Sequence, residues 1–393
     1  MKKDFDSSVL FAGFAAFLLV PSCDTFLKYF GIAGVAGYLI IGSLVLLAAY
    51  KFVLPVFLSR LTERQADILA ALTIAALIAF VAVAYPIANS GRFGAGSDAD
   101  EALLIGTQEL LAGRFPYYPK TYLGNLISPM PGAMLLAIPF VLIKFLAVQN
   151  VFWLGVFYVA VRHYLKSGIW ALALLWTILI FSPTVFQNLA TGADYTANTI
   201  YVLAAMWLMV KLISKADAPE WKKLLPTILF GVGLASRSNF ILLTPLLFSA
   251  LVQNAGLKAA IKYSAIAGVI CLLVIAPFWL YEPTGFAPFL VQAGKLESLE
   301  DVLPFARIII PLAGVLVTAI LSFQKMETDC AVLFRNSAVV QIFALLFTAL
   351  VSSVHNGRPD LFFGQSGYGM FTLFFGALAV WITLNKKLAV SGK

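Results

Sequence analysis

The sequence predicts an all-α, polytopic integral membrane protein of about 12–13 transmembrane helices. Its residues are 61% hydrophobic and 12% charged, whereas a soluble domain carries about 25% charged residues. Apolar runs of about 20 residues, the length that crosses a bilayer, recur along the whole chain. Lys and Arg concentrate in the loops between these runs, and those loops can all face one side of a membrane.

The predicted spans form one transmembrane domain over residues 1–393. Two N-terminal spans occupy 1–66, and a core at 67–255 includes an outer loop at 90–128. Further helices occupy 256–393. The individual apolar runs lie at 9–20, 31–53, 68–87, 129–164, 169–186, 197–212, 224–251, 259–280, 305–323, 338–354 and 361–384.

Some of these runs carry internal breaks. The run at 129–164 contains Lys144 and the polar pair Gln149-Asn150, and the run at 224–251 contains Arg237. We expect 129–164 to cross the membrane once, with a half-embedded or interfacial segment near its start. We expect 224–251 to form a hairpin of two short helices with Arg237 at its outer tip. This arrangement puts most Lys and Arg on one side, as the positive-inside rule requires.

The composition also excludes some classes of protein. The net charge of +8 follows from the loop lysines and arginines, so it does not indicate nucleic-acid binding. Cys23, Cys271 and Cys330 lie far apart without metal-ligand spacing, which indicates buried free thiols. We find no phosphate-binding loop, dinucleotide fingerprint or zinc-protease motif. An enzyme of this composition would take its activated substrate from the membrane.

The loop at 97–132 concentrates polar residues between apolar runs. It begins with Asp98, Asp100 and Glu101 and continues into a helix with paired leucines seven residues apart. One interpretation is that Ser97 or Asp98 caps this helix and that Asp100 or Glu101 completes a capping box. The other is that the helix lies on the bilayer surface and holds a carboxylate there as a general base. Asp98 is our preferred base, and Asp100 then serves the capping box or the acceptor.

Other outer-face residues have two interpretations each. Asp194 is either a turn or cap residue or a second acid that binds acceptor or metal. Arg237 is either a surface arginine or a phosphate ligand. The tyrosines of the outer loop are either interfacial aromatic residues or a sugar-stacking surface. The candidate substrate-binding residues are Glu101, Tyr117, Tyr118, Lys120, Asn125, Asp194, Arg237, His355, Arg358 and Tyr368.

Four segments resemble a known superfamily. They are LLAGRFPYYP at 110–119, LGNLISPMPGAMLLAIPF at 123–140, SPTVFQNLATGAD at 182–194 and GVGLASRSNFILLTP at 231–245. Together they resemble the GT-C polytopic glycosyltransferases, nearest to the bacterial mannosyltransferase-like branch. The resemblance implies transfer of a sugar from a polyprenyl-phosphate donor to a glycan, lipid or protein acceptor, on the outer face of the cytoplasmic membrane. It also implies that Asp98 or Asp100 is the base and that Asp194 is the second outer acid.

Two questions stay open from the sequence. The clustered acids permit a divalent metal without requiring one. The rival function is a transporter or flippase for a lipid-linked or polymeric glycan, which should show internal repeats and helices broken at the membrane midplane. An enzyme should instead gather its acids in one cleft at the outer boundary.

Overall fold

The computed structural model describes residues 2–90, 92, 97–360 and 368–391, with side chains placed for 10–90, 92, 97–360 and 368–386. In these ranges the chain is helical, and its one extended pairing is an isolated bridge between Lys120 and Leu126. The predicted all-α class is therefore confirmed.

The α-helices are α1 Lys2–Leu19, α2 Cys23–Ala48, α3 Leu54–Arg60, α4 Glu63–Ala88, α5 Ala99–Leu111, α6 Pro131–Leu142, α7 Val148–Leu165, α8 Gly168–Phe181, α9 Thr184–Thr191, α10 Tyr195–Ile213, α11 Glu220–Leu234, α12 Thr244–Ala255, α13 Leu257–Tyr281, α14 Ala287–Glu297, α15 Ala306–Ser322, α16 Ala331–His355 and α17 Met370–Ser391. Short 3₁₀ or π turns lie at Val20–Ser22, Ala49–Val53, Ser238–Leu243 and Pro283–Gly285.

Six helical segments of the described chain are long and apolar enough to cross a membrane. A seventh is formed if α8 and α9, bent by 82° at their junction, make one broken span. The chain is thus an all-α polytopic membrane protein. The count is lower than the predicted 12–13 because several apolar helices are shorter than a span of about 20 residues. The six segments are Leu10–Arg60, Glu63–Ala88, Tyr195–Ile213, Ser238–Ala255, Leu257–Tyr281 and Ala331–His355.

Helix α10 lies at the centre of the bundle. It packs against α7, α11, α12 and α17, and nearly all of its residues are buried. Its small residues Ala197, Ala204 and Ala205 are among the buried positions, and small side chains allow membrane helices to approach closely. Because α10 is enclosed by other helices, it fixes the positions of the residues at its two ends.

The two ends of the bundle differ in chemistry. Asp194 directly precedes α10, whereas Lys211 lies in its last turn, about 25 Å further along the axis at 1.5 Å per residue. Tyr85, near the end of α4, bonds Asp100, while Asp67, near its start, pairs with Arg162. We call the end with Asp100 and Asp194 the carboxylate end. The opposite end, which holds Lys166, Lys211 and Lys215, is the lysine end.

Helix α6 stays at the carboxylate end. The Gly132 N–H at its start donates to the Ala235 carbonyl over 2.8 Å, and Asn150, in the first turn of the following helix α7, bonds the Ala193 carbonyl. Its 12 residues span about 18 Å, which is too short for a hydrocarbon core of about 30 Å. Helix α7, in contrast, runs from Asn150 at the carboxylate end to Arg162 at the lysine end.

Helix α5 packs against α6 through the face predicted to lie on lipid. Leu103 is fully buried, and a Cβ at Gly106 would lie 2.5 Å from the Met134 side chain and 3.0 Å from Ile127. Leu111, at the end of the helix, remains 46% exposed. The prediction that the paired leucines make one lipid-facing stripe was therefore wrong for Leu103, because α6 covers that part of the stripe.

Candidate functional site

A buried ion pair lies at the carboxylate end. Asp194 Oδ1 accepts a hydrogen bond from the Arg237 guanidinium, and the exposed fractions of the two side chains are 1% and 11%. Asp194 Oδ2 accepts a second bond from Asn198 over 3.0 Å. The guanidinium carbon lies 4.7 Å from the centroid of the Tyr195 ring, within range of a cation–π contact. The Arg237 Nε is buried and has no hydrogen-bond partner.

The chain places Arg237 at a break between two helices. Helix α11 ends at Leu234, and Arg237 is extended, with φ −153° and ψ 132°, before the turn Ser238–Leu243. The predicted hairpin with Arg237 at its tip is present. The arginine is not a surface residue, however, because it turns inward to the carboxylate of Asp194. Burial of a charged pair is tolerated only where the two charges meet in good geometry.

Asn150 of α7, and not the Asp194 side chain, accepts the hydrogen bond from the first turn of α10. Asp194 is the N-cap of α10, but its side chain makes no capping hydrogen bond. Asn150 Oδ1 instead accepts from the Ala197 N–H over 3.1 Å, and its Nδ2 donates to the Ala193 carbonyl over 2.8 Å. A free N–H of the first turn thus finds its acceptor on a neighbouring helix. The cap interpretation of Asp194 was therefore wrong for its side chain.

Gly192 brings Asp100 to the turn that carries Asp194. Its φ of +73° lies in the left-handed region, which glycine adopts without steric cost. A Cβ at Gly192 would lie 2.6 Å from Tyr85 Cε2 and 3.1 Å from Asp100 Cβ. Asp194 is two residues further on, which is at most about 7 Å of backbone. The Asp100 side chain therefore lies against the turn that carries Asp194.

Asp100 is a buried carboxylate in the first turn of α5. Its Oδ2 accepts from the Tyr85 hydroxyl over 2.7 Å and from Asn89 Nδ2 over 3.4 Å. The side chain is 6% exposed, and this burial raises the pKa of the Asp100 carboxyl above its ordinary value. Hydrogen bonds from Tyr85 and from the backbone N–H groups of Asp100 and Glu101 oppose the shift. A carboxylate whose pKa is raised is a stronger proton acceptor when it is ionised.

Asp98 holds the outer loop together. Its Oδ2 accepts from Thr121 Oγ1 over 2.6 Å and from Asn125 Nδ2 over 2.8 Å. Asp98 is the N-cap of α5, yet its side chain makes no capping hydrogen bond. The Ser97 hydroxyl lies 3.2 Å from the Ala99 N–H and accepts from it. Of the two predicted caps, Ser97 and Asp98, it is therefore Ser97 that accepts from the first turn of α5, and the Asp98 side chain bonds Thr121 and Asn125 instead.

The three loop acids do not converge on one point. The Glu101 carboxylate accepts from the Tyr122 N–H over 2.8 Å, on a different partner from Asp98 and Asp100. Over the described residues, no group of three or more His, Cys, Asp or Glu side chains is placed to hold a metal ion. The spacing of the acids in the sequence is therefore not reproduced as a cluster in space.

The predicted aromatic surface is divided between core and solvent. Tyr117 is 3% exposed, and its hydroxyl donates to the Pro129 carbonyl over 3.3 Å. It is a core residue, packed at 5.0 Å from the Phe286 ring, and not a stacking surface. Tyr118 and Tyr122 remain exposed. Lys120 is exposed beside them in its bridge to Leu126.

The C-terminal candidates lie in two places. The Tyr368 ring is 5.1 Å from Tyr195, on which Arg237 stacks, so Tyr368 joins the site. His355 Nδ1 lies 2.8 Å from Asp301, in a separate pair with the loop after α14. Arg358 is exposed, and its backbone N–H donates to the Ser353 carbonyl. The structure therefore connects Tyr368 to the ion pair and connects His355 to Asp301.

Sequence reasoning missed Asn150, Tyr85 and Tyr195. A polar pair at Gln149-Asn150 inside an apolar run was the available signal for Asn150, because a buried amide needs hydrogen-bond partners. Tyr85 and Tyr195 carried no such signal, since tyrosines are common near membrane boundaries. No protein-family model, curated protein or solved structure matches this chain.

Proposed function

We propose that this protein is a membrane glycosyltransferase that moves a sugar from a polyprenyl-phosphate donor to a glycan, lipid or protein acceptor. One observation carries the proposal: Asp100 packs against the turn of Gly192, two residues from the buried Asp194–Arg237 pair. Acidic and basic groups from distant parts of the chain thus gather at one end of the bundle. This arrangement favours the resemblance to the GT-C superfamily over a transport path across the membrane.

Asp100 is the general base in this proposal. The acceptor hydroxyl transfers its proton to the Asp100 carboxylate, and the hydroxyl oxygen bonds to the anomeric carbon as the bond from that carbon to the phosphate oxygen breaks. The polyprenyl phosphate leaves with the bonding electrons. The sequence favoured Asp98 for this role, but the Asp98 carboxylate bonds Thr121 and Asn125 within the outer loop, whereas Asp100 lies against the Gly192 turn next to the ion pair. Asp98 then shapes the outer loop around the acceptor.

Arg237 is the group that faces the developing phosphate charge. Its Nε–H is a buried donor without a partner, and guanidinium donors suit phosphate oxygens. Lys120 and Arg358, which are exposed, supply longer-range positive charge. A donor aimed at charge that develops during the reaction is an effective form of catalysis in a site that excludes water.

The charge distribution orients the proposed site. The lysine end faces the cytoplasm by the positive-inside rule, so the carboxylate end lies on the outer face of the cytoplasmic membrane. The opposed directions of α4 and α7, and of α10 and α11, support repeated crossings between these two ends. A lipid-linked sugar in the outer leaflet would reach Asp100 from the membrane side.

The test uses membranes that contain the full chain and a panel of polyprenyl phosphates, each carrying a tritiated hexose. Transfer is measured as label that moves from the lipid extract to endogenous acceptors. Asp100→Asn should lower the rate by about 10²–10⁴-fold, the typical contribution of a general base. Glu109→Gln is the matched control, because Glu109 lies on the same helix in an exposed pair with Arg114, and it should transfer normally.

Two results would overturn the proposal. Full transfer by both Asp100→Asn and Asp98→Asn would exclude this loop from the chemistry. Movement of the labelled lipid across the membrane without transfer, lost in Asp100→Asn, would assign the same residues to transport.

A further inference from the structure

A second site lies away from the carboxylate end. An apolar groove of about 1200 Å³ runs along α7, between α4 and α10. Its walls include Ala71 and Ile74 of α4, Val156 and Val159 of α7, and Leu208 of α10. The lining extends from Val148 to His163 along α7, which is about 22 Å at 1.5 Å per residue. A groove of this length and composition on a membrane-spanning bundle faces hydrocarbon chains.

The groove opens into a basic pocket at the lysine end. A cavity of about 530 Å³ adjoins it, and the two share His163, Lys211 and Lys215 in their linings. Lys166 also lines the pocket. Lys211 is half-buried, with its Nζ 4.5 Å from the centroid of the Tyr164 ring. The positive charge of these lysines therefore lies at one end of the apolar groove.

The acids near this pocket are already engaged. Asp67 accepts two bonds from Arg162, over 2.5 and 2.7 Å. Glu63 accepts from the Ser167 hydroxyl over 2.7 Å and from the Gly168 N–H. Within the ranges that the structure describes, no acidic side chain pairs with the three lysines of the pocket. Their charge is available to an anion from outside the chain.

Trp207 supplies an independent indication of a ligand. It lines the groove one turn before Lys211 and is 4% exposed. Its indole Nε1 is buried and has no hydrogen-bond partner. The indole N–H is a donor only, and a buried one normally finds an acceptor. Trp207 is thus a groove-lining residue with an unused hydrogen-bond donor.

We propose that this pocket and groove bind an anionic phospholipid of the leaflet at the lysine end. The phosphate headgroup sits among Lys166, Lys211 and Lys215, and the acyl chains lie along α7. Trp207 donates to a headgroup or ester oxygen. Basic pockets between transmembrane helices on the cytoplasmic side are known binding places for acidic lipid headgroups. The site favours a lipid over a soluble phosphate because the basic pocket adjoins the apolar groove, which can hold acyl chains.

The test adds phosphatidylglycerol or phosphatidylcholine to the full chain in neutral detergent and counts bound lipid by native mass spectrometry. Phosphatidylglycerol should bind more tightly than phosphatidylcholine. Lys211→Gln and Lys215→Gln should each weaken its binding by about fivefold. Lys258→Gln, at the exposed start of α13, is the matched charge control and should bind as the unaltered chain does.

A second variant tests the groove without altering charge. A Cβ at Gly155 would meet no atom within 4 Å, so Gly155→Leu should fill the groove and keep the fold. We expect it to abolish tight binding, while Gly268→Leu, equally unhindered on α13, should not. Equal binding of the two phospholipids, or full binding by Gly155→Leu, would overturn the proposal. Co-purification of a polyprenyl phosphate in place of phospholipid would also overturn the assignment.

Discussion

Removing one charge of the Asp194–Arg237 pair should destabilise the protein more than removing both. In Arg237→Gln the Asp194 carboxylate would stay buried, with the Asn198 amide as its remaining described partner. An uncompensated buried charge of this kind costs about 3–5 kcal/mol. The unfolding entropy is about 2.1 cal/mol/K per residue, so for a chain of 393 residues the melting temperature should fall by roughly 4–6 °C.

The double variant Asp194→Asn/Arg237→Gln leaves no buried charge. Replacement of a whole buried pair is often close to neutral, so we expect it to recover at least half of the lost melting temperature. Thermal unfolding in detergent, followed by tryptophan fluorescence at one scan rate, measures all three variants. The fixed scan rate matters because membrane proteins commonly unfold irreversibly.

The same variants separate stability from activity. If Arg237 faces the phosphate, the double variant should regain stability but not sugar transfer. The reasoning would be refuted if Arg237→Gln melted with the unaltered protein, since the pair would then not be desolvated. It would also be refuted if the losses of the two single variants simply added in the double variant, because charges in contact should be coupled.

Two further predictions concern the neighbours of this pair. Asn150→Ala removes the acceptor of the Ala197 N–H and should destabilise the protein by about 1–2 kcal/mol, the cost of a lost helix cap. Thermal unfolding measures this loss. An unchanged melting temperature would show that water replaces the amide. Burial raises the pKa of Asp100, so its protonated form stabilises the fold below the unfolded pKa of about 3.9, and this contribution is lost as pH rises through the folded pKa. The melting temperature of the unaltered protein should therefore fall relative to Asp100→Asn as pH rises from about 4 to 7, whereas parallel pH profiles would contradict the burial of the carboxylate.

Several features of the fold were predictable from local patterns. Hydropathy runs identified a polytopic helical membrane protein, and the break at Arg237 followed from a charged residue inside an apolar run. Each of these inferences uses only the composition of a short segment, which is why the sequence suffices for it.

The roles of individual polar residues were harder to predict from the sequence. The loop at 97–132 identified three acids but could not show that Asp98 bonds Thr121 while Asp100 turns to Tyr85. Tyr117 was indistinguishable from Tyr118 by position, yet it is buried against Phe286. Side-chain direction at a helix start depends on what packs there, and propensity does not contain that information.

The sequence by itself determined that the chain is an all-α membrane protein with several apolar helices and that its charged residues concentrate between the apolar runs. These properties depend on transfer free energies of successive residues, which add along the chain. Only the tertiary structure decided that Asn150 caps α10, that Gly192 receives Asp100, and that Arg237 turns inward to Asp194. Each of those contacts joins residues more than 40 positions apart. Their geometry is set by how helices pack against one another, because a buried polar group must find its partner wherever the fold places one.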